Sequence, residues 1–213
     1  MDVVFLFYEG MTALDAIGPH EIMCRLPGAK VYRTAKKAGP ILTDSGLVLT
    51  AEYSFSDVSS ADILLVPGAG NATTLKSSPE TLAWLRSLHE KSLWTTSVCT
   101  GSLILGAAGI LSGLKATTHW AAFDRLKAYT DKATKARVVE DGKVMTAAGV
   151  SAGIDLALSL SAKVAGIPFA HSIQLGIEYD PAPICDVGSP DKANPAIRDA
   201  LFSGMNSLFE SLE

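Results

Sequence analysis

The sequence predicts an α/β fold, a doubly wound and mostly parallel sheet with helices on both faces. Three observations carry that prediction. Short apolar runs alternate with longer helical patterns, the order expected of parallel strands joined by helices. The apolar run Ile63–Val66 stops abruptly at Pro67-Gly68-Ala69-Gly70, and the next strand, Trp94–Val98, at Cys99-Thr100-Gly101. No repeat and no Pro/Gly/Ser-rich linker divides the 213 residues, so 1–213 reads as one domain, a length that one hydrophobic core accommodates.

The elements follow in order. Val3–Tyr8 is a buried first strand. Met11–Leu26 is a helix, kinked or delayed by Gly18-Pro19. Lys30–Ala35 is the second strand, and Ile41-Leu42 with Leu47–Thr50 forms a small hairpin around Ser45-Gly46. After Ile63–Val66, a helix starts at Ser78-Pro79-Glu80, because serine caps and proline suits the first helical position. Trp94–Val98 leads directly into a helix over Thr100–Leu111, and Trp120–Tyr129 is another. Arg137–Glu140 and Lys143–Ala147 flank Asp141-Gly142, a strong hairpin signal. Helices follow over Ser151–Ala165 and near Ala170–Tyr179, then a loop-rich stretch from Asp180, then a last helix near Pro195–Leu212.

Composition narrows the function. Apolar residues make up 48% and charged residues 19% of the chain, which excludes a disordered protein. The net charge is −4 and the densest basic pair is Lys36-Lys37, so no nucleic-acid partner is expected. The apolar start Val3–Tyr8 lacks a basic flank, and Gly101–Leu111 is too short to span a bilayer. Three cysteines, Cys24, Cys99 and Cys185, suit a reducing compartment. A protein of the cytoplasm is expected, without membrane association.

Cys99 stands where a buried strand meets a helix, the setting that presents nucleophiles over the carboxyl edge of an α/β sheet. The N–H groups and dipole of the following helix favour thiolate, so a depressed pKa is expected. Taken alone, Cys99 reads equally well as a small buried hydrophobe. Asp15, before Gly18-Pro19, reads alone as a cap or turn residue, yet it follows another parallel strand and reaches the same edge. Glu21 is its rival and belongs on the helix surface. Thr100 is a helix N-cap or a hydrogen-bond donor to a ligand, two compatible roles. His119 alone reads as a structural hydrogen-bonding residue. His20, His89 and His171 show no ligand spacing, so no metal is expected.

The stretch Ser97-Val98-Cys99-Thr100-Gly101-Ser102, with Ala116-Thr117-Thr118-His119-Trp120, resembles the ThiJ/PfpI (class I glutamine amidotransferase-like) superfamily. Three further segments resemble its isocyanide hydratase branch: Leu14-Asp15-Ala16-Ile17-Gly18-Pro19-His20, Gly149-Val150-Ser151-Ala152-Gly153-Ile154-Asp155, and Glu178-Tyr179-Asp180-Pro181-Ala182-Pro183 running on to Gly188-Ser189-Pro190-Asp191. The likeness spans Val3 to about Asp191. It implies a flavodoxin-like fold, a homodimer, no cofactor, Cys99 as nucleophile and Asp15 as its acid. It further implies backbone amides of Gly68, Ala69 and Gly70 as an anion-stabilising pocket, Val150 as a pocket wall, and His119 close behind the site. Peptidase-like relatives carry histidine where this chain has Thr100, which disfavours amide hydrolysis by a Cys–His pair. Asp155 is expected to stabilise the first turn of its helix.

The implied chemistry is hydration of an organic isocyanide to an N-substituted formamide through a covalent thioimidate. Two alternatives remain from the same resemblance. Similar domains form the sensor part of AraC-type regulators, although no helix-turn-helix module follows before Glu213. Glyoxalase- or deglycase-like enzymes also use an elbow cysteine, with glutamate in place of Asp15.

Overall fold

The structure, a computed structural model, describes residues 1–70 and 78–210. Its centre is a seven-stranded sheet in the order β5-β2-β1-β6-β7-β9-β8. These strands are β1 (Asp2–Leu6), β2 (Lys30–Ala35), β5 (Tyr53–Ser54), β6 (Ile63–Val66), β7 (Trp94–Val98), β8 (Val138–Asp141) and β9 (Val144–Ala147). All neighbours pair in parallel except β8 and β9, the hairpin predicted around Asp141-Gly142. β3 (Gly39–Leu42) and β4 (Val48–Ala51) form a separate antiparallel pair, the predicted small hairpin.

Apolar patterning explains the layering. Central strands covered on both faces read as continuous apolar runs, and every residue of β6 is buried. Because parallel crossovers are right-handed, leftward and rightward steps from the centre place helices on opposite faces. On one face α1 (Ala13–Met23) packs against α5 (Ala152–Ala165), which packs against α6 (Ile167–Gly176). On the other, α2 (Pro79–Lys91) packs against α3 (Gly101–Ala107), and α3 against α4 (Phe123–Leu126). Ser78 caps α2 as expected, its hydroxyl accepting from the Thr81 N–H at 3.5 Å.

Several boundaries differ from expectation. β1 ends at Leu6, which leaves Phe7 and Tyr8 beyond the strand. α1 is shorter than Met11–Leu26, and Pro19 lies inside it. α3 stops at Ala107 because Gly109, with φ 79°, turns the chain. The predicted helix over Trp120–Tyr129 is a 3-10 turn, Trp120–Ala122, followed by the four-residue α4. α6 begins three residues early, at Ile167 with Pro168 in its first turn. β5 and the 3-10 turn Phe55–Asp57 gave no signal in the sequence, being too short to show a period. The last helix, α7, is seen over Pro195–Glu210, and Leu212 lies outside the described residues. Among the described residues, no helix is long and apolar enough to cross a membrane.

Candidate active site

Cys99 follows β7 at φ 57°, a left-handed conformation that costs a residue with a Cβ of order 1 kcal/mol or more. The surroundings enforce it. Its N–H lies 3.1 and 3.2 Å from the carbonyls of Ala147 and Ala148, and its carbonyl accepts from the hydroxyls of Ser102 at 3.2 Å and Thr118 at 3.1 Å. The loop after β6 presses on the turn from the other side. A Cβ at Gly68 would stand 2.5 Å from the Thr100 nitrogen, and one at Gly101 would stand 2.2 Å from the Val66 carbonyl oxygen. Only glycine allows that approach.

Asp15 projects from the first turn of α1 and is fully buried. Its Oδ2 accepts from the Gly68 N–H at 2.9 Å. Oδ1 is buried without a partner of normal hydrogen-bond geometry among the described residues, and the carboxyl lies against the Cys99 thiol. Burial is the largest influence and pushes the Asp15 carboxyl up to about 7; the Gly68 N–H opposes it and the negative charge of Asp44 adds to it. This is the ordering expected of a desolvated acid with no cation beside it among the described residues.

The same burial corrects the expectation for the thiol. Cys99 titrates well above the ordinary thiol range, first because it is buried and then because Asp15 faces it. The N–H and hydroxyl of Thr100 act in the expected downward direction and are outweighed. α3 offers only seven residues of aligned dipole, and its field does not offset desolvation. The two groups are coupled: Asp15 is raised toward neutrality and the thiol is raised further, so the carboxyl is the group of the pair that gives up its proton first.

Thr100 stands at the N-cap position of α3. Its hydroxyl donates to the Ala69 carbonyl at 2.7 Å and accepts from the Ala69 N–H at 2.8 Å. The hydroxyl makes no side-chain cap bond to α3 from that position, and it lies between the Ala69 peptide and the Cys99 thiol. Two of the three amides expected to form an anion pocket are engaged as well, Gly68 by Asp15 and Ala69 by Thr100. Gly70 is half-buried at the end of the described stretch. These residues clamp the elbow to the β6 loop.

His119 is buried behind the elbow, its ring packed against Gly149 so closely that a Cβ there would overlap it. Its Nδ1 accepts from the Ala121 N–H at 3.2 Å, which places the ring proton on Nε2. Burial holds its pKa down to about 4. Val150 is half-buried beside Gly149. Asp155 does not act through its helix turn alone: it forms an ion pair with Arg137 at 2.5 Å and accepts from the Tyr179 hydroxyl at 3.2 Å. Glu21 is exposed and pairs with Arg25 at 3.0 Å, away from Cys99. Cys24 is half-buried and Cys185 exposed.

The structure brings two further residues to the site, Tyr8 and Thr118, the second from within the Ala116–Trp120 stretch that carries the resemblance. Tyr8, just past β1, is buried with its hydroxyl donating to the Pro67 carbonyl at 3.0 Å; burial, then Asp15 and Cys99, raise its pKa well above the tyrosine norm. Thr118 holds the elbow carbonyl. The ends of strands on one edge were the available signal for Tyr8, and its apolar context concealed it. Two cavities flank the elbow. One, of about 430 Å³, includes Tyr8, Lys36 and Ile41. The other, of about 410 Å³, is lined by Thr118, Trp120, Gly149 and Gly188–Asp191 among others. Neither is lined by Cys99 or Val150.

A doubly wound sheet that raises a buried cysteine on a strained strand–helix turn, against an acid from the first helix, defines a class of α/β proteins built around an elbow cysteine. Within that class the chain belongs to the DJ-1/PfpI family, whose model matches residues 1–163. It is 40% identical over 199 residues to the isonitrile hydratase of Pseudomonas putida, covering 93% of this chain and 87% of that protein. A THiJ/PfpI family protein from Pseudomonas syringae superposes with a TM-score of 0.93 at 39% identity, over 97% of this chain and 86% of that one. The HTH-type transcriptional regulator CdhR of Pseudomonas aeruginosa is 30% identical over 83% of this chain, which spans about half (53%) of that regulator.

Proposed function

We propose that the protein hydrates organic isocyanides to N-substituted formamides through a thioimidate on Cys99. The observation that carries this is the buried Asp15–Cys99 pair, whose carboxyl at about 7 exchanges protons near neutral pH. The likeness to an isonitrile hydratase over most of both chains supports the choice of substrate.

The chemistry balances with one carboxyl as the relay. Cys99 attacks the terminal carbon of R–N≡C while its proton passes to Asp15 and on to that carbon, giving R–N=CH–S–Cys99. Water then adds across the C=N bond, its oxygen to carbon and a proton, carried by Asp15, to nitrogen. Collapse of R–NH–CH(OH)–S–Cys99 forms the formamide C=O and breaks the C–S bond. The hydroxyl proton returns through Asp15 to the departing sulfur, so thiol and carboxylate end as they began. Thr100 contributes by locking Ala69 against the elbow, and His119, neutral and buried, by backing the segment that carries Thr118. We further take the protein to be a cytoplasmic homodimer that needs no metal or organic cofactor.

The test is turnover of para-nitrophenyl isocyanide, followed by formamide absorbance, with Cys99→Ala and Asp15→Asn alongside. Turnover in the wild type and its loss in both variants is expected; turnover retained by Cys99→Ala defeats the mechanism. The identity with a transcriptional regulator favours one second reading, a ligand-sensing domain, for which saturable binding of a small molecule without turnover would be the signature.

A further inference from the structure

Thr12 occupies the N-cap of α1, a position where threonine ordinarily bonds a free helix N–H, yet its hydroxyl makes no such bond. It donates instead to Asp44 Oδ2 at 2.6 Å, on the turn that joins β3 to β4. Three more hydrogen bonds tie the hairpin to the same connection: Gly10 N–H to the Leu42 carbonyl at 2.8 Å, Asp44 N–H to the Met11 carbonyl at 3.1 Å, and Leu42 N–H to the Glu9 carboxylate at 3.0 Å. On its inner side Thr12 is bonded to the site. Its N–H donates to the Gly68 carbonyl at 2.9 Å, its carbonyl accepts from the Asp15 N–H at 3.1 Å, and Gly68 closes the circuit on Asp15 Oδ2.

We propose that Asp44 is a positioning residue for Asp15: through Thr12 it fixes the turn from which Asp15 projects, and it keeps a second negative charge near the buried carboxyl. The inference rests on the proposed Asp15–Cys99 chemistry and names a group that tunes it from outside the site. Among the described residues, the titratable groups facing Asp15 are Cys99 from the elbow, Tyr8 from just past β1 and Asp44 from the hairpin. Glu9, on the connecting segment, is engaged by Leu42. Like charge favours the protonated acid, and Asp44 acts on Asp15 in that direction. Asp44 itself is exposed, so its influence is open to screening by salt.

The experiment is the pH profile of Cys99 alkylation by iodoacetamide, read by mass spectrometry, in the wild type, Asp44→Asn and Thr12→Val. At low ionic strength Asp44→Asn is expected to move the midpoint to lower pH by about half a unit, and about 0.5 M salt to move the wild type toward the variant. Thr12→Val keeps the charge and breaks the link; it is expected to slow alkylation several-fold with a smaller shift of midpoint. An unmoved midpoint in Asp44→Asn overturns the proposal, and so does a slower reaction without a shift, the mark of a merely structural loss. Alkylation reports on the pair whatever the enzyme turns over. Absence of formamide in the wild type therefore counts against the hydratase, and absence of a shift counts against Asp44.

Discussion

Asp15 and Asp155 occupy nearly equivalent places, each a carboxylate in the first turn of a helix that follows a parallel strand of one sheet. The helices even pack against one another. Their surroundings nevertheless part completely. Asp155 is partly exposed, ion-paired to Arg137 and bonded to Tyr179. Among the described residues, Asp15 is fully buried, has a single backbone N–H on one oxygen, and faces a thiol and a second carboxylate. A helix N-terminus stabilises an acid by roughly 0.3–1 kcal/mol. The rise of Asp15 to about 7 corresponds to about 4 kcal/mol in the other direction. Desolvation and partners, rather than position on the helix, decide what each carboxylate does.

Exchanging each acid for its amide tests that contrast. Asp15→Asn removes the proton relay and is expected to lower para-nitrophenyl isocyanide turnover at least 10²-fold, on the order of a general acid–base contribution. Asp155→Asn, whose carboxylate is engaged by Arg137 and Tyr179 and not by the thiol, is expected to stay within about threefold of wild type in the same assay. Similar losses in both variants would erase the distinction.

Stability sharpens it further. Asp15 titrates near 7 in the folded protein and near 4 when unfolded, so between those values the folded state holds more protons. Stability from this group is complete below about pH 4 and is lost as pH rises through 7. Urea denaturation should therefore show up to about 4 kcal/mol of decline from pH 4 to pH 8 attributable to Asp15, absent in Asp15→Asn. A variant with the wild-type slope would place the perturbed titration elsewhere.

The clamp around the elbow predicts an intermediate effect. Gly68→Ala puts a methyl group 2.5 Å from the Thr100 nitrogen, so the β6 loop or the elbow must shift. A loss of about 1–3 kcal/mol in stability, with slower alkylation of Cys99, is expected. The smallest effect belongs to the exposed pair: Arg137→Gln should change stability by at most about 1 kcal/mol, measured by thermal melting.

Much of the fold was legible because its signals are local. Lys30–Ala35, Ile63–Val66 and Trp94–Val98 match the observed strands end to end, each an extended run closed by turn-forming or charged residues. The Asp141-Gly142 hairpin and the Ser78 cap follow from chemistry confined to a few neighbours. Elements set by distant contacts were less legible. α3 ends early, Trp120–Tyr129 is not a continuous helix, and Tyr8 leaves the sheet to reach Pro67.

The site divides along the same line. That a cysteine follows β7, that an aspartate follows β1, and that both strands end at one edge is determined by sequence, since apolar runs and strand order depend on composition and chain direction. Only the tertiary structure decided their ionisation. It buried Cys99 and Asp15 together with no cation beside them among the described residues, turned the hydroxyls of Thr12 and Thr100 away from their caps, and used the amides of Gly68 and Ala69 to join the loops. A pKa depends on the field and solvent exclusion from every element around a group, and those elements come from positions as far apart in the chain as 15, 44, 68 and 99.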